Sequence, residues 1–255
     1  MLTHDTIETP GDDPRPAVAR NIAIIADGNG RWAKARGLSA THGHQAGANT
    51  LKARLRDAAE FGIEQLTVYS FSTENWTRPP TEVRGLIDML AQRIAQETPE
   101  LHQQGVRMRF IGRREAAPRL LQDQMHQAET LTADNKRLAL FIAFNYGGRA
   151  EILDAAKRFN GGDEKEFRRS LYAPEMRDPD LIIRTGGEQR LSNYLLWQST
   201  NAELAFRPEL WPDFTRQALA EALADYSRRQ RRYGARRSTR PTVAPRTATA
   251  PITAL

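Results

Sequence analysis

The chain has 255 residues, of which 40% are hydrophobic, and this is enough to bury the core of a single domain. It contains no cysteine, which excludes disulfides and thiolate metal sites and favours an intracellular protein. The net charge of +6 would suit nucleic acid, an acidic membrane face or anionic substrates. Its arginines crowd the carboxyl-terminal end without a recognisable nucleic-acid module, so we expect no nucleic-acid partner.

The two ends of the chain differ in composition from its middle. Residues 1–19 are polar and contain proline, and residues 235–255 are rich in Thr, Ala, Pro and Arg. We therefore expect two disordered tails around one folded domain at residues 20–234. No apolar run approaches the length of a membrane span, and the amino terminus lacks the basic-then-apolar order of a secretory signal. These features predict a cytoplasmic protein.

Segments typical of strands alternate with segments typical of helices along the predicted domain. The predicted strands are residues 22–26, 65–71, 106–111, 138–145, 180–184 and 203–206. The predicted helices are residues 45–61, 81–103, 118–131, 148–159, 164–171 and 215–232. This alternation predicts an α/β fold with a mainly parallel central sheet of about six strands flanked by helices. Ligands of such folds bind at the carboxyl ends of the strands.

The first predicted strand ends in one acid, two glycines and one base. Residues 22–32 read IAIIADGNGRW, a buried strand that breaks into the start of a helix. Backbone N–H groups are free at such a junction, glycines let a ligand approach the backbone, and Asp27 could hold a cation beside a bound phosphate. Asp-Gly and Asn-Gly also mark ordinary turns, so other segments must support a metal-diphosphate site.

Two further loops share this polar character. Residues 69–79, YSFSTENWTRP, place hydroxyls, an amide and an arginine at the end of the second predicted strand. Residues 182–193, IIRTGGEQRLSN, place two arginines, two glycines and a serine at the end of the fifth. Because the carboxyl ends of parallel strands lie at one edge of a sheet, we expect the three loops to form a single polar rim.

The sequence resembles the cis-prenyltransferases, the undecaprenyl diphosphate synthase family. The resemblance rests on DGNGRWAKARG from Asp27, GHQAG from Gly43, YSFSTENWTRP from Tyr69, FNYGGRAEI from Phe144 and DLIIRTGGEQRLSNYLLWQ from Asp180. It spans residues 21–234 and implies a catalytic domain with an apolar tunnel below the polar rim. The implied reaction condenses isopentenyl diphosphate with an allylic diphosphate to give a Z-prenyl diphosphate. A homodimer and peripheral membrane contact for product release are also implied.

The resemblance implies roles for individual residues. The allylic diphosphate pocket would comprise Gly28, Asn29, Gly30, Arg31, Trp32 and His44, and the isopentenyl diphosphate pocket Arg184, Arg190, Leu191 and Ser192. The catalytic Asp27, with Glu203 at the family's second acidic position, would hold Mg²⁺. A mobile loop that contains Ser72, Thr73, Glu74, Asn75, Trp76 and Arg78 would close over the substrates. Taken singly, most of these residues could equally be packing, capping or surface residues.

Asn75 holds the position to which the family's pattern gives a part in removing the proton. A carboxamide is a poor base at neutral pH. We therefore interpret Asn75 as a catalytic residue that orients the reacting groups, with the released diphosphate as a candidate proton acceptor.

The sequence departs from the family's usual pattern at several positions. Ala40 stands where an arginine is usual, and the region between residues 158 and 178 is shorter than usual. Phe144 stands at a tunnel position that is small in long-chain members, whereas Ser70 keeps a small residue at another. If the ring blocks the tunnel, we expect a product of about two to six isoprene units. The alternative is that Phe144 faces a covering helix as ordinary core.

Two other functions are weighed against this one. Trans-prenyltransferases use aspartate-rich clusters on helices, but the only paired aspartates here, Asp12 and Asp13, lie in a predicted tail. A non-catalytic partner subunit that has kept the fold would show eroded rim residues, whereas Asp27, Arg31 and Arg184 are intact. The segment of residues 232–234, an Arg-x-Gly ending, can reach the partner's active site in this family.

Overall fold

The structure is a computed structural model that describes residues 18–229. A single sheet of six strands lies at its centre, in the spatial order β3-β4-β2-β1-β5-β6. The strands are β1 (Asn21–Ile25), β2 (Gln65–Ser72), β3 (Val106–Ile111), β4 (Leu138–Tyr146), β5 (Leu181–Arg184) and β6 (Glu203–Phe206). All neighbouring strands of the sheet pair in parallel. The predicted α/β fold with a parallel six-stranded sheet is confirmed.

Helices connect the strands and cover both faces of the sheet. They are α1 (Asn29–Ala35), α2 (Ala40–Glu60), α3 (Pro80–Gln103), α4 (Arg119–Leu131), α5 (Gly148–Arg158), α6 (Glu164–Arg168) and α7 (Arg216–Arg228). Short 3-10 turns occupy Thr73–Thr77, Arg114–Ala116 and Trp211–Asp213. None of these described helices is both long enough and apolar enough to cross a bilayer.

Helix α2 begins at Ala40 rather than at residue 45, where the sequence pattern placed its start. Its first turn, ATHGH, carries small and polar side chains, so the apolar repeat that marks a helix begins only later. Ser39 precedes it in an extended conformation. The consequence for the site is that His44 lies inside a helix, one turn after Ala40.

The strands are apolar on both faces because helices and loops cover both sides of the sheet. Along β1, Ile22 and Ile24 join the core on the side of α2 and α3, whereas Ala23 and Ile25 join the core on the opposite side. Of the predicted amino-terminal tail, Val18 and Ala19 lie within the described residues, and Ala19 packs into the core with 3% exposure. The other tail residues and the segment 232–234 lie outside the described residues.

A buried carboxylate connects the end of β4 to two other segments on this second side. Glu151 of α5 is 1% exposed. It accepts hydrogen bonds from the Tyr146 hydroxyl (2.5 Å), the Gln198 Nε2 (3.1 Å) and the Tyr172 backbone N–H (3.0 Å). Because these donors come from three separate segments, Glu151 stabilises the packing of the loop after β5 against β4 and α5.

We expect Glu151→Ala to lower the free energy of unfolding by about 3 kcal/mol, because it leaves three buried donors without an acceptor. Urea denaturation followed by circular dichroism measures this. Glu151→Gln is the matched control and should cost about 1 kcal/mol, since it keeps the volume and one acceptor oxygen. Equal losses in the two variants would contradict a hydrogen-bonding role.

Candidate active site

A cavity of about 640 Å³ opens where β1, β2 and β5 end. Its volume lies within the range typical of small-molecule sites. The three predicted polar loops meet at its mouth, as the parallel sheet requires. The rim residues that line it are Asp27, Gly28, Asn29, Gly30, Arg31, Ala40, His44, Ser72, Asn75, Arg78, Glu82, Arg184 and Ser192.

The cavity becomes apolar away from the rim. Its deeper wall is formed by Leu55 of α2, Leu90, Ile94 and Leu101 of α3, Met108 of β3, and Leu140 and Ile142 of β4. Leu140 pairs with Leu66, which pairs with Ile22 at the amino end of β1. Asp27 is five residues beyond Ile22, so the cavity extends about 16 Å along the sheet. A polar mouth and an apolar interior suit an amphiphilic ligand.

Asp27 is held between two guanidinium groups. Its Oδ1 accepts from Arg31 Nη2 (3.1 Å) and its Oδ2 from Arg184 Nη2 (2.8 Å). Burial raises the pKa of Asp27, but the hydrogen bonds and charges of Arg184 and Arg31 outweigh it and bring the pKa below its ordinary value. Asp27 is therefore ionised at neutral pH.

Arg184 is fixed in place by the loop that follows it. It is 4% exposed, and its Nη1 donates to the Ser192 Oγ (2.6 Å) and the Arg190 carbonyl oxygen (2.5 Å). The chain can turn back over Arg184 because Gly186 and Gly187 adopt positive φ angles of 86° and 79°. The predicted residues Arg184 and Ser192 are thus brought together beside Asp27.

Two glycines let α1 and α2 approach each other closely at the rim. A Cβ atom on Gly43 would lie 2.2 Å from the Asn29 carbonyl oxygen, and one on Gly47 would lie 2.4 Å from the Asn29 Oδ1. A larger residue at position 43 would require α1 to move, and one at position 47 would displace the Asn29 side chain. The motif GHQAG therefore places His44 beside the start of α1, facing the cavity.

His44 is kept in its neutral form by its surroundings. Burial lowers its pKa, the nearby charge of Arg78 lowers it further, and Glu82 opposes these effects only in part. Arg78 and Glu82 form an ion pair of 3.0 Å above the cavity. At neutral pH His44 can therefore offer one ring N–H to an anion without carrying a charge.

Several predicted contact residues do not line the cavity. Trp32 donates its Nε1–H to the Asp213 Oδ1 (2.7 Å) and lies under Arg36. Trp76 donates to the Asn145 Oδ1 (2.7 Å) and borders a separate surface groove. Their indole N–H groups find partners in these directions, which turns both rings away from the cavity. Contact of these two residues with substrate therefore stays a prediction.

The other predicted site residues outside the cavity lining have partners elsewhere. Thr73 donates its hydroxyl to Glu74, and Glu74 accepts a further hydrogen bond from Asn193. The Arg190 guanidinium pairs with Glu188 (2.5 Å), and only the Arg190 carbonyl oxygen contacts Arg184. Leu191 packs against the core on the opposite side of the sheet.

Glu203 is not brought to Asp27 within the chain. It begins β6 and pairs in register with Leu181, at the amino end of the sheet, whereas Asp27 follows the carboxyl end of β1. Its Oε2 accepts from Arg229 Nη1 (2.8 Å). The expected sharing of one Mg²⁺ by these two carboxylates is therefore not formed within this chain. Residues 18–229 contain no cluster of three or more His, Asp or Glu side chains that could hold a metal.

Phe144 and Ser70 both line the cavity. Phe144 is fully buried, stacks on Phe71 at 5.5 Å and lies on the same face of β4 as Leu140 and Ile142, as strand alternation predicts. The lining continues past the ring to Ile142 and Leu140, which lie farther from the rim on the same face of β4.

Two asparagines that the sequence analysis did not single out hold the loop around Asn75. Asn145 accepts from Trp76, and Asn193 donates to Glu74. Both have positive φ angles, 45° and 63°. Asparagine is among the few residues that adopt this conformation readily. Their place inside the motifs FNYGG and SNYLLWQ is the signal that could have identified them.

Comparisons with known proteins support the class of site that this geometry defines. Residues 25–234 match the model of a family described as "Putative undecaprenyl diphosphate synthase". An isoprenyl transferase of Thermotoga maritima is 48% identical over 85% of this chain and 97% of its own length. A trans,polycis-polyprenyl diphosphate synthase of Thermobifida fusca, specific for (2Z,6E)-farnesyl diphosphate, is 45% identical over 91% of this chain and 86% of its own.

Solved structures agree with these matches. Lavandulyl diphosphate synthase from Lavandula x intermedia, in complex with dimethylallyl diphosphate, superposes with a TM-score of 0.82 at 36% identity, covering 85% of this chain and 98% of its own. A probable undecaprenyl diphosphate synthase from Campylobacter jejuni gives 0.74 at 28% identity, covering 86% and 99%. The chain belongs to the undecaprenyl diphosphate synthase family of cis-prenyltransferases. It is a prenyltransferase that carries out cis-prenyl condensation.

We expect the pKa of His44 to lie below that of free histidine, and Arg78→Gln to raise it. The variant removes a positive charge and leaves Glu82 without its ion pair, while burial still disfavours the charged ring. Titration of the His44 ring by NMR measures both values. Arg84→Gln, on the exposed side of α3, is the matched control and should leave the titration unchanged. If the pKa of His44 is the same in Arg78→Gln as in the unaltered protein, this electrostatic assignment is wrong.

Proposed function

We propose that this cis-prenyltransferase binds the allylic diphosphate at the start of α1 and isopentenyl diphosphate beside Arg184. The observation that carries the proposal is the convergence of Asp27, Arg31 and Arg184 at the polar mouth of a cavity whose deeper wall is largely apolar. Diphosphates need several cationic and N–H donors, whereas prenyl chains need an apolar enclosure. Both requirements are met within one cavity.

The reaction breaks the allylic carbon–oxygen bond and releases diphosphate, the double bond of isopentenyl diphosphate attacks the resulting cation, and a proton leaves. We assign the backbone N–H groups of Gly28 to Gly30, the Arg31 guanidinium and the His44 ring to the leaving diphosphate. Arg184 and Ser192 bind the diphosphate of isopentenyl diphosphate. Asn75 lines the cavity between the two pockets and orients the reacting ends, while the released diphosphate accepts the proton.

The donor set at the rim fits Mg²⁺. Proteins usually bind this ion through one or two carboxylates together with substrate phosphates and water. Asp27 supplies one ionised carboxylate next to the proposed pocket for the leaving diphosphate. Bound there, the ion would offset the negative charge that develops on the leaving group. No second acid of the described chain is required for this arrangement.

The family resemblance supports three broader proposals. The protein is a homodimer in which residues 232–234 reach the partner's site, it works in the cytoplasm, and it makes peripheral contact with the membrane to release its product. A non-catalytic partner subunit has no support, because Asp27, Asn75 and Arg184 are present and line the cavity.

We expect the purified protein to form prenyl diphosphates from isopentenyl diphosphate, Mg²⁺ and a dimethylallyl, geranyl or farnesyl primer, identified by mass. Asp27→Ala should lower kcat at least about 100-fold, because its contribution grows as charge develops in the transition state. Asp123→Ala on α4, an exposed acid remote from the cavity, is the matched control. Near-normal turnover in Asp27→Ala would overturn the assignment, and the absence of product with every primer would favour the non-catalytic reading.

We propose that the Phe144 ring limits the product to about two to six isoprene units, since a packed interior cannot absorb added ring volume without cost. Phe144→Ala should then give longer products from a short primer. Leu140→Ala is the matched comparison, because it widens the same face of β4 four residues deeper, about 13 Å from Phe144. If Leu140→Ala gives longer products and Phe144→Ala does not, product length is limited by the deeper wall of the cavity. An eleven-unit product from the unaltered enzyme would refute the proposal.

A further inference from the structure

The 3-10 turn Thr73–Thr77 sends three consecutive side chains in different directions. Asn75 lines the cavity, whereas its neighbours Glu74 and Trp76 point out of it and meet other parts of the chain. The Glu74 Oε1 accepts from Asn193 Nδ2 at 2.8 Å, and the Trp76 Nε1–H donates to Asn145 Oδ1 at 2.7 Å. Asn75 therefore sits between two anchored neighbours.

Asn145 is held firmly at the end of β4. It is 5% exposed, and its Nδ2 donates to the Arg113 carbonyl oxygen (2.8 Å) while its Oδ1 accepts from Trp76. Both ends of the amide are thus occupied, which fixes its orientation. The Trp76 ring also packs edge-on against Phe71 at 5.1 Å. This anchor combines a hydrogen bond with aromatic packing.

Asn193 is held in a similar way by the start of α5. Its Oδ1 accepts from the Arg149 backbone N–H (2.9 Å), and its carbonyl oxygen accepts from the Gly148 N–H (2.6 Å). Its Nδ2 is thereby directed at Glu74. The contact belongs to the loop that also carries Ser192, so it joins the turn around Asn75 to the loop beside Arg184.

The turn Thr73–Thr77 packs closely against the segment that carries Asn193. A Cβ atom on Gly147, which lies between β4 and α5, would be 2.6 Å from Asn193 Nδ2 and 2.7 Å from Thr73 Oγ1. Only glycine lets Asn193 and Thr73 approach each other at this point. Three segments that are distant in sequence therefore meet beside the turn that carries Asn75.

We propose that Asn145 and Asn193 are positioning residues that hold Trp76 and Glu74, and thereby set Asn75 over the reacting groups. Neither asparagine lines the cavity, so each acts through a neighbour of Asn75. This inference rests on the proposed role of Asn75 in the condensation.

The first test reverses the polarity of the Asn193 contact. Asn193→Asp keeps the acceptor for the Arg149 N–H but turns a carboxylate toward Glu74, and we expect kcat to fall about tenfold with a smaller change in KM. In a Glu74→Gln background the amide introduced at position 74 can donate a hydrogen bond to the carboxylate introduced at position 193. There Asn193→Asp should lower kcat about twofold or less. The defect of Asn193→Asp should also shrink at lower pH, where one of the two carboxylates takes up a proton.

The docking of the turn is measured without any turnover. Hydrogen–deuterium exchange of substrate-free protein should be faster at residues 73–77 in Asn193→Asp and return to the Glu74→Gln level in the double variant. Trp76→Phe, which keeps an aromatic ring against Phe71 and removes only the N–H donor, should speed exchange in the same residues. Trp32→Phe is the matched control, because it removes an indole donor outside the turn.

The outcomes separate this inference from the proposed function. Unchanged exchange at residues 73–77 in both Asn193→Asp and Trp76→Phe would overturn the inference. It would also be overturned if Asn193→Asp lowered kcat equally in the unaltered and Glu74→Gln backgrounds, because the effect would then come only from the contact with Arg149. If the unaltered protein forms no prenyl product, the proposed function fails, while the exchange measurements still decide whether the asparagines hold the turn.

Discussion

The site depends on one electrostatic arrangement, the Asp27 carboxylate held between Arg31 and Arg184. The parallel pairing of β1 with β5 puts Ile25 level with Arg184, so the buried guanidinium ends beside Asp27, two residues after β1. Arg31 reaches the same carboxylate from the first turn of α1. An ionised acid between two cations leaves the mouth of the cavity net positive, and guanidinium forks bind phosphate oxygens well. Strand register thus determines where a diphosphate can bind.

Helices α2 and α3 are amphipathic and together enclose the apolar part of the cavity. Lys52 of α2 pairs with Glu100 of α3 (2.5 Å), and Arg93 of α3 donates to Asn49 of α2 (2.8 Å). Lys52 and Arg93 also line the cavity. Long basic side chains can cover apolar surface with their stems while their charged ends pair at the outside. Polar contacts between α2 and α3 therefore lie alongside the apolar part of the cavity wall.

The sheet and the convergence of the three loops could be predicted from the sequence because apolar strand patterns and loop composition are local signals. The direction of each loop side chain could not. In a 3-10 turn successive residues are rotated by about 120°, so Asn75 and Trp76 diverge although they are adjacent. The separation of Glu203 from Asp27 also follows from the sequence: Glu203 begins the strand predicted at residues 203–206, and in a parallel sheet a strand's start lies at the edge opposite the rim.

Ala40 stands where an arginine is usual in the family, so the positive charge at the rim differs from the usual pattern. It lines the cavity one helical turn before His44, so the substitution removes a cation from the α2 side of the rim. His44 does not replace that cation, since burial and Arg78 keep its pKa low. The positive charge that remains on this side comes from Arg78, which approaches from the segment after β2 and is shared with Glu82. In the proposed function, binding of the allylic diphosphate therefore depends more heavily on Arg31 and on the position of the loop that carries Arg78.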